Sequence, residues 1–411
     1  MDVDVAIIGG GMVGASLAAA LVGSGRSVLL IESTPFGAAS QPSFDERTTA
    51  LGNASRRIFA GLGAWEAIAP EAAAISSIHV SEAGRFGFSR LVAAEQGVEA
   101  FGYVVPNRRI GAALWSRLRT APGITLRAPA RVADIAVAPD AIRLRVADDS
   151  TSPLPVSARL LVAADGAHSQ VRAAAGIEAA AVDYGQVAVV ANVSADRAHD
   201  GAAYERFTSQ GPLAVLPLHD GTLAVIWACA PARAAELLAL DERGYLEQLQ
   251  RRFGWRAGRF VRAGRRGSYP LKLTRAAATV ATRTVLIGNA AQTLHPVAGQ
   301  GFNLGLRDAA MLAEVIANAE ADGEGDGDVG APQLLQRFAA WRARDRRGVV
   351  AFTDGLVRLF AATYPGAAAL RDLGLLLFDL APPAKSALAR LSAGFGGPTP
   401  RLARGLGVRR V

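Results

Sequence analysis

The sequence has a single cysteine, Cys229, and only five histidines among its 411 residues. One cysteine excludes an internal disulfide framework and a cysteine-rich metal site, and it favours a reducing compartment. The histidines form no His-x-x-x-His pair, so the sequence predicts no metal site. The composition is otherwise apolar: 51% of the residues are hydrophobic and 44 are glycine. These values predict a globular, cytoplasmic protein of two or three lobes.

Lysine is almost missing as well. Only Lys272 and Lys385 occur, so the net charge of +8 comes almost entirely from arginine. A composition rich in Arg and Ala and poor in Lys is typical of a base-composition bias in the source genome. There is no RNP motif, zinc-finger spacing or basic stripe interleaved with aromatics, so we expect no nucleic-acid partner. A general attraction to anionic membrane surfaces stays open.

No basic leader precedes the first apolar stretch, Val3–Gly25, which is about as long as a membrane span. Aspartates stand at its start and glycines interrupt it, unlike a signal peptide or an anchor. The stretch divides better into a strand (Val3–Ile8), a glycine turn and a helix (Met12–Ser24). Ser27–Ile31 adds a second strand, so the pattern predicts a βαβ unit that ends at Glu32.

The glycine turn of this unit has the G-x-G-x-x-G pattern, with Gly9, Gly11 and Gly14. Gly9 permits the tight turn, Gly11 lets the backbone approach a pyrophosphate, and Gly14 allows close contact between helix and strand. The N-terminus of the helix offers free N–H groups to phosphates. Glu32 is placed to accept hydrogen bonds from ribose hydroxyls and would repel a 2′-phosphate. The set predicts a dinucleotide site; a glycine turn selected for packing is the alternative.

Two later segments also run from a buried strand into a loop. The strand that ends at Ala164 is followed by Asp165-Gly166, which as spacing alone indicates only a turn. The strand Val285–Ile287 leads through Gly288-Asn289 into a glycine-rich loop and a helix beginning at Gly301. The N–H groups at that helix start could face a group that gains negative charge, such as the N1–C2=O edge of a reduced flavin.

Further along the chain, the apolar spacing indicates helices and a second sheet. Helical spacing of apolar residues predicts helices over Arg47–Leu62, Arg108–Arg119 and Glu236–Arg252. Between residues 186 and 230, short apolar runs separated by turn signals predict an antiparallel sheet with one exposed face.

Three motifs together resemble those of the single-component aromatic hydroxylases of the para-hydroxybenzoate hydroxylase type. They are Gly9–Gly14, Asp165-Gly166, and Gly288-Asn289 with Gly299-Gln300-Gly301. The segments that begin at Phe44, Tyr204 and Gly288 are similar to the ubiquinone-biosynthesis hydroxylases, and the 2-polyprenyl-6-methoxyphenol hydroxylases are the nearest group. The resemblance extends to about residue 360.

This resemblance implies an α/β fold with an α+β substrate lobe. A Rossmann-like FAD-binding domain would carry an inserted antiparallel-sheet substrate domain and C-terminal helices. The expected bounds are 1–75, 102–180 and 270–340 for the FAD-binding domain, 76–101 and 181–269 for the substrate domain, and 341–411 for the helical segment.

The resemblance also implies a set of FAD-binding residues, which are Gly9, Gly11, Gly14, Glu32, Arg47, Arg108, Asp165, Gly166, Asn289, Pro296, Gly299, Gly301 and Asn303. Within this set, Arg47 would reach the phosphate and ribityl region, and Arg108 the pyrophosphate. Residues from Pro296 to Asn303 would line the pyrimidine edge of the flavin. Asn289 stands where many members have Asp, and it can still accept a hydrogen bond from a ribityl hydroxyl.

The implied reaction is hydroxylation of a polyprenylated (methoxy)phenol, in which O2 is the co-substrate and a C4a-hydroperoxyflavin transfers the oxygen. Electrons would come from NAD(P)H or a separate reductase. No base for the phenol can be assigned; His295, Pro296 and Tyr204 are candidates, and packing roles are the alternative for His295 and Tyr204. A hydroxylase of small soluble phenols and an inert flavoprotein within a biosynthetic complex are the competing functions.

Arginines at 342, 344, 346 and 347 precede apolar residues on a predicted helix, Leu334–Ala361. Such a segment could contact a membrane or a partner protein, including other ubiquinone-biosynthesis proteins. The alternative is a helix that covers the core. Peripheral contact of a cytoplasmic protein with the inner membrane therefore stays open.

Overall fold

The computed structural model describes residues 1–37, 47–148, 152–294, 299–319, 327–361, 372–374, 377–397 and 399–409. In chain order its first strands are β1 (Asp2–Ile8), β2 (Val28–Ile31), β3 (Thr48–Gly52), β4 (Ala73–Ala74), β5 (Ser77–Glu82), β6 (Phe88–Val92), β7 (Gly102–Pro106), β8 (Ile124–Arg127), β9 (Arg131–Val137) and β10 (Ile142–Ala147). The later strands are β11 (Leu154–Ala163), β12 (Ala179–Ala195), β13 (Ala202–Phe207), β14 (Leu213–Pro217), β15 (Leu223–Cys229), β16 (Phe260–Ala263), β17 (Gly267–Ala276), β18 (Val280–Ala281), β19 (Thr284–Leu286) and β20 (Gln292–Thr293). The helices are α1 (Met12–Leu21), α2 (Asn53–Gly61), α3 (Trp65–Ile68), α4 (Asn107–Leu118), α5 (Gln170–Ala174), α6 (Pro231–Ala239), α7 (Glu242–Phe253), α8 (Gln300–Ala317), α9 (Pro332–Ala361) and α10 (Pro382–Ser392).

The first sheet has the order β18-β19-β11-β1-β2-β8, and its pairs from β19 to β8 are parallel. Its central strand β1 is apolar on both faces, as a parallel strand covered on both sides must be. Val5 and Ile7 face the core that contains α1, α4 and α8, whereas Ala6 and Ile8 face a second core on the other side of the sheet. The predicted βαβ unit is confirmed.

The second sheet has the order β20-β17-β12-β15-β14-β13-β5-β6, and its pairs are antiparallel except for β13 with β5. Its strands alternate: Val215 and Val225 face the core with α6 and α7, and Leu216 and Ala224 belong to the opposite face. The expected fold class, with a parallel sheet, an antiparallel sheet and helices, is confirmed. The domain bounds stay a prediction.

Two of the predicted helices are wrong in part. The segment Arg47–Leu62 begins as strand β3, because its backbone pairs with β7, and only from Asn53 does it form helix α2. The predicted helix Glu236–Arg252 is divided between α6 and α7. Asp241 caps α7 by accepting a hydrogen bond from Gly244 N at 2.7 Å, which starts a new helix there. Both errors have the same cause: the start of each helix is set by a pairing strand or a capping residue, and the apolar spacing alone does not show it.

Helix α9 packs on the core through buried charges. Arg342 donates from Nε to Asp308 Oδ1 at 2.7 Å and also pairs with Asp345, and Arg307 donates to Asp345 at 2.9 Å. Arg346 lies 3.1 Å from Asp308 and is buried too. The sequence left two interpretations of the arginine-rich segment, a surface that contacts a membrane or partner and a helix that covers the core. The buried arginines favour the second. No helix within the described ranges is long and apolar enough to cross a membrane.

We expect Arg342→Leu to lower the free energy of unfolding by about 3–5 kcal/mol, because it removes one partner of a buried ion pair and leaves the aspartates undercompensated. Denaturant unfolding would measure the loss. Arg344→Leu, at an exposed position of the same helix, is the control and should change stability by no more than about 0.5 kcal/mol. Equal effects of the two changes would contradict a special role for the buried pair.

Candidate cofactor and substrate site

One large cavity joins the two sheets. Its volume is about 1510 Å³. One end is lined by the glycine turn after β1 and by the end of β2, and the other by the antiparallel sheet and α10. Ligand pockets usually measure roughly 300–1,000 Å³, so this cavity has room for a dinucleotide and a second molecule.

The glycine turn is shaped by contacts that exclude larger residues. Gly9 has a φ of +102°, and a Cβ there would lie 2.4 Å from the carbonyl oxygen of Ala164. A Cβ on Gly14 would lie 2.0 Å from the carbonyl oxygen of Gly9, so Gly14 brings α1 against the strand and lies outside the cavity lining. Gly11 is the N-cap of α1 and has no side chain with which to cap it. The first N–H groups of α1 are therefore available to a phosphate.

Glu32 is fixed beside this turn. Its Oε2 accepts a hydrogen bond from Gly10 N at 2.7 Å, and its Oε1 accepts one from Thr34 N at 2.9 Å. Trp115 of α4 supports the same turn, since its Nε1 donates to the carbonyl of Gly10 at 3.0 Å. Oε1 also accepts from Ser33 Oγ at 3.3 Å, whereas Oε2 keeps a second lone pair that could accept from a ribose hydroxyl, and Glu32 lines the cavity.

Asp165 follows the end of β11 and lines the cavity. Its Oδ2 accepts a hydrogen bond from Val171 N at 3.3 Å, whereas its Oδ1 is buried without a hydrogen-bond partner among the described residues. Burial raises the pKa of this carboxyl, and hydrogen bonds from Ser169 and Val171 oppose the rise. An unsatisfied buried oxygen is costly, so Asp165 is suited to a ligand hydroxyl that donates to Oδ1.

The start of α8 reaches the cavity from the other side. Gly299 is the N-cap, in a left-handed conformation with a φ of +59°, and lines the cavity with Gly301 and the exposed Asn289. Asn303 does not line it: its amide nitrogen donates to the carbonyls of Ala50 and Gly299, and its Oδ1 accepts from Gly52 N and Ser55 Oγ. The side chain of Asn303 therefore links α8 to the β3–α2 junction. The part of α8 that faces the cavity is its start, where the backbone N–H groups are open.

The two predicted arginines are placed differently. Arg47 lines the cavity, with its guanidinium carbon 4.7 Å from the ring centroid of Tyr269. Arg108 is outside the lining and is partly exposed, where its Nη2 donates to Glu71 Oε2 at 2.6 Å. Of the predicted FAD-binding residues, nine line one cavity: Gly9, Gly11, Glu32, Arg47, Asp165, Gly166, Asn289, Gly299 and Gly301. Three others, Gly14, Arg108 and Asn303, lie outside its lining.

Of the candidates for the phenol base, His295 and Pro296 lie outside the described residues. Tyr204 lines the cavity, but its ring packs against Phe253 of α7 with the centroids 5.3 Å apart. Its hydroxyl lies 3.5 Å from the carbonyl of Arg256, and burial raises its pKa. The hydroxyl of Tyr204 is thus directed toward the helical layer and away from the cavity face of the sheet.

Glu205, the next residue, was missed by the sequence reasoning. It lines the cavity from the middle of β13. The available signal was a charged residue within an apolar alternation, at a position where Ala203 and Phe207 share its face. That signal identifies an unusual residue, but only the fold shows that the face is a cavity wall.

The residues present fit FAD. One cavity contains the carboxylate of Glu32, the open N–H groups at the start of α1 and the unsatisfied oxygen of Asp165, which suit the adenosine ribose, the pyrophosphate and the ribityl chain respectively. The start of α8 lines the same cavity, so its N–H groups would be available to the flavin ring. The individual contacts to FAD stay predictions.

Comparison with known proteins agrees with this geometry. A family model described as an FAD binding domain matches residues 2–352. The ubiquinone hydroxylase UbiL of Rhodospirillum rubrum is 39% identical over 407 residues, which are 98% of this chain and 93% of that protein. The 3-demethoxyubiquinol 3-hydroxylase of Escherichia coli is 33% identical over 383 residues, 92% of this chain and 95% of that protein.

A solved structure shows the same fold. The p-nitrophenol 4-monooxygenase PnpA from Pseudomonas putida DLL-E4 has a TM-score of 0.77 and 19% sequence identity, and the alignment covers 96% of this chain and 99% of that one. At this level of identity the likeness concerns the arrangement of sheets and helices alone.

We expect Gly14→Ala to remove most of the bound flavin, because the new Cβ would lie 2.0 Å from the carbonyl oxygen of Gly9 and would push α1 away from the turn. The flavin-to-protein absorbance ratio of the purified protein measures the loss. Gly348→Ala is the matched control: it lies on helix α9, where a Cβ meets nothing within 4 Å. Unchanged flavin content in Gly14→Ala would contradict the assignment of this turn.

Proposed function

Because this chain belongs to the FAD binding domain family and is an FAD-dependent aromatic hydroxylase of the ubiquinone-biosynthesis type, we propose that its substrate is a polyprenylated phenol or methoxyphenol. The reaction adds a hydroxyl group to the aromatic ring. Two relatives that act on ubiquinone or its precursor by name, each covered over more than nine-tenths of its length, support the pathway. They do not share a stated ring position, so none is proposed.

The observation that carries the proposal is the apolar second half of the cavity. Its wall on the antiparallel sheet includes Ile78, Leu91, Phe207, Leu216 and Ile226. This wall continues to Phe378 and to Leu388 and Ala389 of α10. Burial of prenyl groups against such a surface contributes about 25 cal/mol per Å² of apolar area, and a small charged phenol would gain little of it.

Different residues of the cavity would bind the cofactor and the substrate. The start of α1, Glu32 and Asp165 would hold the nucleotide and ribityl parts of FAD, and the start of α8 would stabilise negative charge on the reduced ring. Bound FAD supplies the redox chemistry, by which one oxygen atom of O2 reaches the substrate ring. The apolar wall orients the ring and keeps water away from it.

The sequence shows no second nucleotide-binding βαβ unit, so we propose that the electron donor, NAD(P)H or a separate reductase, docks without a domain of its own. Contact with a membrane surface is also part of the proposal, since a polyprenylated substrate resides there. Leu377 and Leu380 are exposed beside the cavity-lining Phe378, and they are suited to such contact.

We expect the purified holoprotein, chemically reduced without oxygen and then mixed with ¹⁸O2, to hydroxylate a short-chain prenylated 2-methoxyphenol. Mass spectrometry of the product should show one ¹⁸O on the ring. 4-Hydroxybenzoate should react at least about tenfold more slowly, because it lacks the apolar tail that the wall would bind. Reducing the flavin directly makes the result independent of the natural electron donor.

Two other results would contradict the proposal. Equal or faster hydroxylation of 4-hydroxybenzoate would favour a hydroxylase of small soluble phenols. Oxidation of the reduced flavin without product from either phenol would favour a structural flavoprotein. A deletion strain adds the test of the pathway: its quinone profile should contain an under-hydroxylated prenylated phenol, and the wild-type chain but not Gly14→Ala should correct it.

A further inference from the structure

Glu205 lies on the cavity face of β13. Along this strand the side chains alternate: Tyr204 and Arg206 turn toward the helical layer, where Arg206 Nε donates to the carbonyl of Arg252 at 3.2 Å. Ala203, Glu205 and Phe207 then share the opposite face and line the cavity. The carboxylate is therefore carried into the substrate half of the cavity by the strand itself.

The surroundings of this carboxylate are apolar. In the sheet, Glu205 is paired with Val80 of β5 and with Ala214 of β14, both of which line the cavity. The small side chain of Ala214 leaves space beside the carboxylate. The other acidic residues of the lining, Glu32 and Asp165, belong to the nucleotide half and accept backbone hydrogen bonds. Within the described part of the chain, no hydrogen bond or ion pair of the Glu205 carboxylate is found, and burial is the only influence on its pKa.

The polar and charged side chains on the neighbouring elements interact with partners other than Glu205. Beyond β5, Ser89 Oγ donates to Asp379 at 3.1 Å, and Asp379 is paired with Lys385 of α10 at 2.8 Å. On the β3 side, Arg47 lies over the ring of Tyr269. Burial alone raises the pKa of Glu205, to about 7. A general base is most effective when its pKa is close to the working pH, so the group is well adjusted to accept a proton near neutrality.

An unpaired carboxylate in an apolar wall weakens the fold, and such groups are retained where a ligand needs them. A phenol bound in this half of the cavity brings one strong donor, its hydroxyl. We propose that Glu205 is the catalytic residue that accepts the hydroxyl proton of the phenol substrate. This inference rests on the proposed function, because it requires a phenol in the cavity.

The proton moves from the phenol to the carboxylate. The phenol O–H bond breaks and an O–H bond forms on the Glu205 carboxylate, while the electron pair stays on the phenol oxygen. That pair raises the electron density of the ring at the carbons ortho and para to the oxygen, and one of these carbons forms the new C–O bond. The oxygen atom of that bond comes from O2, whose O–O bond breaks with two electrons that reduced FAD would supply, and the other oxygen atom leaves as water. The hydrogen of that carbon leaves as a proton and restores the O–H bond of the phenol oxygen, and Glu205 releases its own proton to water when the product departs.

The test compares Glu205→Gln with Glu205→Asp in the reduced holoprotein, using the short-chain prenylated 2-methoxyphenol and the same phenol with a ring fluorine. Glu236→Gln, at an exposed position of α6, controls for the loss of a carboxylate. We expect Glu205→Gln to keep its flavin and to hydroxylate the unsubstituted phenol about 10²-fold more slowly or worse. The loss should be smaller for the fluorinated phenol, which gives up its proton more readily. Glu205→Asp should retain part of the activity.

The pH dependence supplies a second readout. In the wild type, the rate should fall as the pH drops through about 7, because Glu205 is then protonated and cannot accept. This limb should disappear in Glu205→Gln and persist in Glu205→Asp and Glu236→Gln. Stability should change in the opposite sense: the folded protein holds this proton more tightly than the unfolded chain, so wild-type stability should fall as the pH rises from about 4.5 to 7, and less so in Glu205→Gln.

Full activity of Glu205→Gln, an equal loss with both phenols, or an unchanged acidic limb would overturn the inference while leaving the proposed function intact. If the wild type fails to hydroxylate either phenol, the proposed function fails first. The flavin content and the pH dependence of unfolding show in each case whether a variant is folded and loaded.

Discussion

The cavity depends on one buried carboxylate, that of Asp308. One of its oxygens accepts from Arg342 on α9 at 2.7 Å, and the other accepts from Gly288 N at 3.2 Å. The helix that carries Asp308 therefore joins α9 to the loop at the end of the parallel sheet. Gly305, on the same helix, approaches the Cα of Gly288 so closely that a Cβ would lie 3.0 Å from it. These contacts fix α8 against the parallel sheet and so hold its start in the lining of the cavity.

The sequence predicts those parts of the fold whose determining residues lie close together along the chain. The apolar run of β1, the glycines at 9, 11 and 14 and the buried run of β2 lie within one short segment, so their spacing specifies a βαβ unit. The same holds for Asp165-Gly166 and for the loop from Gly288 to Gly301, each of which follows a buried strand. Because parallel strands present their carboxyl ends at one edge, these segments meet without any further information.

The parts that the sequence does not predict depend on partners far along the chain. Thr48–Gly52 is a strand because β7 pairs with it, and Asn303 is a fastening residue because Ala50 and Gly52 lie within reach of its amide. Arg108 is drawn to Glu71 rather than to the cavity. Glu205 is the clearest case, since its alternation says only that it shares a face with Ala203 and Phe207. Whether that face meets solvent, a helix or a cavity is decided by the second sheet as a whole.

The two halves of the cavity differ in how they treat charge, and this difference limits where each step of the reaction can occur. In the nucleotide half, the carboxylate of Glu32 accepts hydrogen bonds from the backbone N–H groups of Gly10 and Thr34, and the open N–H groups at the starts of α1 and α8 favour negative charge on a ligand. In the substrate half, the sheet offers Glu205 no donor, and its negative form is disfavoured near neutral pH. The carboxylate of the substrate half is therefore suited to take up a proton, whereas the start of α8 would stabilise the negative charge of a reduced flavin ring. In the proposed reaction the proton would thus be accepted at β13 and the electrons would be stabilised at the start of α8, two different parts of one cavity.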